Sequence, residues 1–199
     1  MRPSPKTDVL MAVDTALRPT GFVRRGHVWL HERGDGVAGW LGFGIAGTLT
    51  LTPLVGVCFR RYDEVCRTLG IGIPTTPVIS TPLGALMPEK PVWTWTFAPG
   101  TDHAPGAASL VAAFLKHGKP YIDKYAEWDT VAREFVAKPE SLLEFDRARK
   151  LAVVHVLAGN AGAAWEALRK EAERVADSRD VHASAHRELQ RRFEIAFPA

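Results

Sequence analysis

Two runs decide the fold: Val37-Ala-Gly-Trp-Leu-Gly-Phe-Gly-Ile-Ala46 and, after Gly47, Thr48-Leu-Thr-Leu-Thr-Pro-Leu-Val-Gly-Val-Cys-Phe59. No charged residue stands between Gly36 and Phe59, a length that fits a membrane helix. The composition argues otherwise. Glycines at 36, 39, 42, 44, 47 and 56, Pro53, and threonines at 48, 50 and 52 are too many together for a lipid-spanning helix. Alternation fits better. Val37, Leu41, Phe43 and Ile45 share one face of a first strand, and Leu49, Leu51, Val55, Val57 and Phe59 share one face of a second. The turn between them falls at Ala46-Gly47. Pro53 lacks an N–H, so the second strand is expected to be bulged or at an edge.

Upstream, Phe22 to Arg33 reads as another strand, followed by the turn Gly34-Asp35-Gly36. On it, His27, Trp29 and His31 are expected on one face with Arg25, and Arg24 on the other. Short turns make the three strands an antiparallel meander. Before them, Val9, Leu10, Val13, Ala16 and Leu17 mark a helix over Thr7–Leu17, capped by Ser4 or Thr7 and ended at Arg18-Pro19.

Downstream, Arg61–Leu69 reads as a short helix with Gly70 beyond its end. Thr68–Pro88 is charge-free and rich in Pro, Thr and Gly. It is expected to be an extended loop with a short strand near Val78-Ile79. Val92–Ala98 reads as a strand with Trp93, Trp95 and Phe97 on one side. From Pro105 the pattern is helical: about 105–117, 120–128, 129–137, 139–157, 163–175 and 181–197. The last is expected to bury Val181, Ala185, Leu189 and Phe193. Segregated strands and helices imply an α+β fold: an antiparallel sheet of four to five strands packed by helices, then an all-helical part. The expected division is 1–100, with the sheet, and 101–199, helical, with a soft boundary between Ala98 and Pro105.

The chain has 199 residues, 46% hydrophobic and 24% charged, which excludes disordered and fibrous classes. Its net charge of +3 is too small a surplus to argue for nucleic acid by itself. Two cysteines, Cys58 and Cys66, are too few for a disulfide framework and read as buried free thiols. The apolar stretch Val9–Val13 is too short for a signal-peptide core, so a cytoplasmic protein without membrane contact is expected.

The run Leu17-Arg-Pro-Thr-Gly-Phe-Val-Arg-Arg-Gly-His-Val-Trp29 resembles the opening of domain-of-unknown-function family 4304, across about residues 5–135. That resemblance implies an α+β module with an opening helix, a Gly-Phe, a basic pair and an aromatic strand. It implies no established chemistry. Some similar small bacterial modules are immunity proteins or antitoxins. Leu157-Ala-Gly-Asn-Ala-Gly-Ala-Ala-Trp165 looks like one helical hairpin of the tetratricopeptide type, and a single pair makes no solenoid.

Catalytic patterns are missing. There is no Gly-x-Ser-x-Gly elbow and no phosphate-binding loop, and the glycines at 39, 42, 44 and 47 do not form a dinucleotide fingerprint. His182 and His186 have the four-residue spacing that brings two imidazoles to a metal, but Ala183 stands where a zincin has Glu. They read as solvent-facing histidines. Asp63-Glu64, Glu127/Asp129 and Glu140/Glu144 read as solvated carboxylates.

The leading expectation is therefore a non-enzymatic protein-binding module with no metal or cofactor. Arg24, Arg25, His27, Trp29, His31, Arg60 and Arg61 are its candidate partner-binding residues. If Arg24 and Arg60 approached across the meander, clustered guanidinium groups would hold phosphate or an acidic partner. A nucleic-acid or phosphate binder is the first alternative. A small hydrolase or transferase around His27 and His31 is the second.

Overall fold

The computed structural model describes residues 4–46, 49–71, 76–88 and 94–198. Two compact units share the chain: the first draws on residues 1–58 and 77–126, the second on 59–76 and 127–199. The fold is α+β, with an antiparallel sheet and C-terminal helices.

In the first unit, helix α1 spans Pro5–Leu17. Ser4 Oγ accepts the Thr7 N–H at 3.3 Å, so Ser4 is the cap, and Pro5 occupies a first-turn position where its missing N–H costs nothing. Val9, Leu10, Val13 and Leu17 are buried. The strands are β1 (Val23–Arg25), β2 (Val28–Glu32), β3 (Val37–Ala46), β4 (Thr50–Phe59), β5 (Ile79–Pro82) and β6 (Trp95–Thr96). They run in the order β1-β2-β3-β4-β5, with β6 also beside β4. The pairs β1–β2, β2–β3, β4–β5 and β4–β6 are antiparallel.

Two expectations about the strands are corrected. Phe22–Arg33 is a hairpin rather than one strand. Arg25 pairs with Val28, leaving Gly26-His27 as a two-residue turn, and Gly26 has φ +64°. A glycine at the first turn position suits a type II′ hairpin. The turn resets the alternation, so Arg24 pairs with Trp29 and shares its face, and Arg25 takes the other. Pro53 lies in a strand flanked on both sides. Its position explains how: β6 pairs with residues 50–51 of β4 and β5 with residues 54–57, and Pro53 falls between the two.

One sheet face carries Trp29, Leu41, Val55 and Val57, all with no measurable exposure. Helix α3 (Ala104–Ala113), a π-helical turn (Phe114–Gly118) and helix α4 (Lys119–Lys124) follow. A Cβ at Gly39 would stand 2.9 Å from Ile122 of α4, and one at Gly118 would stand 3.0 Å from Val55, so glycines set the helix-to-sheet approach. The π-turn has a visible cause. Pro120 has no N–H for the Lys116 carbonyl, and the Lys119 N–H reaches back five residues to the Phe114 carbonyl.

The second unit is helical: α2 (Arg60–Thr68), α5 (Trp128–Ala137), α6 (Glu144–Leu157), α7 (Ala161–Arg174) and α8 (Val181–Ala196). Phe59 and Trp128 meet edge to face at 5.2 Å, as do Trp165 and Phe193 at 5.0 Å. The α6–α7 hairpin turns at Gly159, φ +72°, and Asn160 caps α7 by accepting the Ala163 N–H at 3.0 Å. Asp180 does the same for α8, accepting the Ala183 N–H at 2.7 Å. Leu189 and Phe193 are buried as expected, but Val181 is 87% exposed and Ala185 is exposed, and Ala183 and His186 turn inward in their place. The units also divide elsewhere than near residue 100. Helix α2 belongs with the C-terminal helices, and α3 and α4 belong with the sheet. Trp93, Gly47 and the Glu144 side chain lie outside the described residues.

Candidate functional site

The seven residues singled out from sequence are divided between the two units. Arg24 and Arg25 lie on β1, separated from β4 by two strands, and Arg60 and Arg61 open helix α2 of the other unit. Arg24 and Arg60 thus belong to different units. Trp29 offers no surface. It is fully buried, donates its indole N–H to Asp14 Oδ1 at 2.8 Å and packs edge to face on Phe43. Arg24 donates to the Gly26 carbonyl at 2.9 Å, and its guanidinium sits 5.4 Å from the Trp29 ring. His31 is half-buried with its ring 5.2 Å from Phe22, and His27 is exposed at the hairpin turn, so the two do not share a strand face. Arg61 stacks over Trp128 at 4.6 Å.

The cysteines are buried, as the sequence indicated. Burial above all pushes the Cys66 thiol up to about 11, against an opposing hydrogen bond with Tyr62, so it is no thiolate nucleophile at neutral pH. Among the described residues, no group of three His, Cys, Asp or Glu side chains is arranged to hold a metal ion.

A different feature of the first unit gathers chemistry. Leu86, Lys116, His117, Pro120, Tyr121, Lys124 and Tyr125 line an open recess of about 520 Å³. The π-turn builds it. One extra residue in the helical turn projects Lys116 and His117 at an angle that a regular helix would not give. Tyr121 and Tyr125, one turn apart on and just beyond α4, bring their rings to 4.7 Å. Lys124 Nζ lies 4.5 Å from the Tyr125 ring and 3.0 Å from its hydroxyl oxygen. Beside the recess, Asp123 pairs with Arg33 and, at 2.8 Å, with Lys119. Burial pushes the Asp123 carboxyl up, but the hydrogen bonds from Lys119 and Arg33 outweigh it and hold the group below its ordinary range. Asp123 is thus ionised and already matched by two cations. Lysines supply point charges on flexible stems, and the tyrosines supply rigid amphipathic area.

Sequence reasoning missed this recess. Lys116-His-Gly-Lys-Pro-Tyr121 was divided between two helices, and the signal was the Pro120 four residues after Lys116.

The paired histidines of α8 are also not the solvent-facing residues expected. His186 is buried, with Nε2 2.9 Å from the Leu168 carbonyl oxygen, so Nε2 donates. Burial lowers its basicity, against the Leu168 hydrogen bond. His182 Nε2 lies 2.6 Å from Glu171 Oε1, and Arg174 donates to both Glu171 oxygens at 2.6 and 2.9 Å. The Arg174 hydrogen bonds, with help from His182, outweigh burial and hold the Glu171 carboxyl down at about 2.

No family model, curated protein or solved structure matches this chain. Among the described residues, no helix is long and apolar enough to cross a membrane.

Proposed function

We propose that the protein is a non-enzymatic binding module that takes an acidic segment of a protein partner into the basic, tyrosine-lined recess beside the π-turn. The observation that carries this reading is the convergence of Lys116, His117 and Lys124 with Tyr121 and Tyr125 on one open concavity. Tyrosine is enriched where protein partners dock, and surface lysines steer acidic partners without demanding a fixed geometry. The recess cations are lysines, point charges that take any anion, and the tyrosine pair beside them is what favours a protein segment as the acidic partner. An immunity protein or antitoxin, which neutralises another protein by covering it, is the biological role that suits such a module.

The test is a capture experiment from native lysate with nuclease present, comparing the wild-type chain with Lys116→Glu/Lys124→Glu. The expected result is one stoichiometric protein held by the wild type and reduced at least about tenfold by the double variant, with retention falling as salt rises. Equal capture by both baits, or loss of every partner on nuclease treatment, overturns the reading. The second outcome would move nucleic acid to the front.

A further inference from the structure

The basic recess holds one group whose charge is not fixed. Lysine ammonium groups stay charged across the neutral range, whereas histidine is the side chain whose charge changes between about pH 5 and pH 8. His117 stands where such a change is felt. It follows Lys116 in the π-turn, is half-buried, and lines the same concavity as Lys116 and, from α4, Lys124. Among the described residues, neither Lys116 nor His117 has a hydrogen-bond or ion-pair partner. No protein contact there therefore dictates which ring nitrogen of His117 carries a proton, or whether both do.

The other groups that share the recess leave this charge undisturbed by any carboxylate of the wall. Tyr121 and Tyr125 contribute phenols, and Leu86 and Pro120 contribute no ionisable group. Asp123, beside the recess, has its charge taken up by Arg33 and Lys119. A carboxylate arriving from outside changes the balance. An opposite charge within about 4–6 Å favours the charged form of an imidazole. Occupancy and protonation are then linked, and the linkage is reciprocal: by the factor that the bound carboxylate raises the proton affinity of the ring, the proton raises the affinity for the carboxylate.

We propose that the recess takes its acidic segment together with a proton on His117, so that the grip tightens as pH falls. The proposal rests on the acidic-partner reading and adds its regulation. The step is one proton moving from solvent to the second ring nitrogen, with no bond made to the segment. Glutamate carboxylates are already ionised above about pH 5.5, and beside lysines they would release protons rather than take them up. Net proton uptake on binding is therefore the signature of the histidine.

A blocked hexaglutamate peptide is the probe, titrated into the full chain at about pH 8, pH 6.5 and pH 5.5. Calorimetry in two buffers of different ionisation enthalpy counts the protons exchanged, and circular dichroism checks that the chain is folded at each pH. The expected affinity is about fivefold tighter at the lowest pH than at the highest, the weight of one added surface charge. Binding at the middle pH should take up a fraction of a proton. His117→Gln should bind with the weaker affinity throughout and take up none. His117→Lys, with a fixed charge at the same place, should bind with the tighter affinity throughout and also take up none. A histidine with a merely structural role would instead weaken binding in both variants. Proton-neutral binding by the wild type, or uptake that persists in His117→Gln, overturns the proposal and leaves the acidic-partner reading standing. Lack of saturable binding at every pH overturns the proposal as well, and the capture comparison with Lys116→Glu/Lys124→Glu then decides the underlying reading separately.

Discussion

Replacing Asp14 with Ala isolates one contact that joins helix α1 to strand β2. Trp29 is fully buried, and its indole N–H has Asp14 Oδ1 at 2.8 Å as its partner. A hydrogen bond to a charged acceptor contributes about 1.5–3 kcal/mol, and the larger part of its loss is the desolvated donor left behind. Arg18, 3.7 Å from Asp14 Oδ2 and 77% exposed, adds little, since exposed ion pairs contribute about 0–1 kcal/mol. The expected loss for Asp14→Ala is therefore about 2 kcal/mol. With a urea dependence of about 2 kcal/mol per molar, the midpoint of the sheet unit's transition falls by about 1 M. Asp14→Asn keeps an acceptor and should lose about half as much. The decisive assay is the double-mutant cycle with Trp29→Phe, which removes the donor. The Asp14→Ala step should cost about 0.5 kcal/mol or less in the Trp29→Phe background, giving a coupling of about 1.5 kcal/mol. A coupling below about 0.5 kcal/mol would refute the reasoning, because it would mean that water replaces the carboxylate without penalty.

Acid should weaken the helical unit in two stages. His186 has its folded basicity lowered, mainly by burial, so its contribution is complete above the unfolded value of 6.5 and declines as pH falls below it. Glu171 is held at about 2 in the folded chain against an ordinary 4.5, so its contribution is complete above 4.5 and is lost between 4.5 and 2. Denaturation midpoints followed by helix circular dichroism should show both stages, and Glu171→Gln should shrink the more acidic one, leaving what Glu188 and Asp180 add to it. At the π-turn, Gly118→Ala sets helix propensity against packing. The new methyl gains about 1 kcal/mol in propensity, but it would stand 2.8 Å from Phe114, 3.0 Å from Val55 and 3.2 Å from Leu83, so overpacking of about 1–3 kcal/mol should win. A thermal midpoint that rises instead of falling would show that the turn moves freely off the sheet.

The strand pattern was legible where alternation was clean. Val37–Ala46 is β3 to the residue, with the turn glycine Gly36, φ +73°, just before it. The Gly26-His27 hairpin was hidden because its turn interrupts a run that alternates plausibly straight through, and only the left-handed Gly26 reveals it. That one error reversed Arg24 relative to Trp29. The burial of Trp29 was equally illegible, since its partner Asp14 lies on another element. On α8, the spacing of His182 and His186 was visible, but their environment depended on Glu171 and Leu168 of the preceding helix. The basic recess depended on a π-turn, which no simple hydrophobic period announces.

The interleaving of the two units in the chain has a consequence for synthesis. Helix α2 leaves the ribosome with the sheet strands, but the helices it belongs with are encoded after residue 126. At about 5–20 residues per second, the roughly 80 residues from Thr76 to the end of α6 take on the order of 4–16 s to appear. For much of that interval Tyr62, buried in the finished protein, lacks Trp128, the ring it packs against. The nascent chain thus presents a short sticky segment beside a nearly complete sheet. Slowed translation downstream of codon 76 would lengthen the exposure.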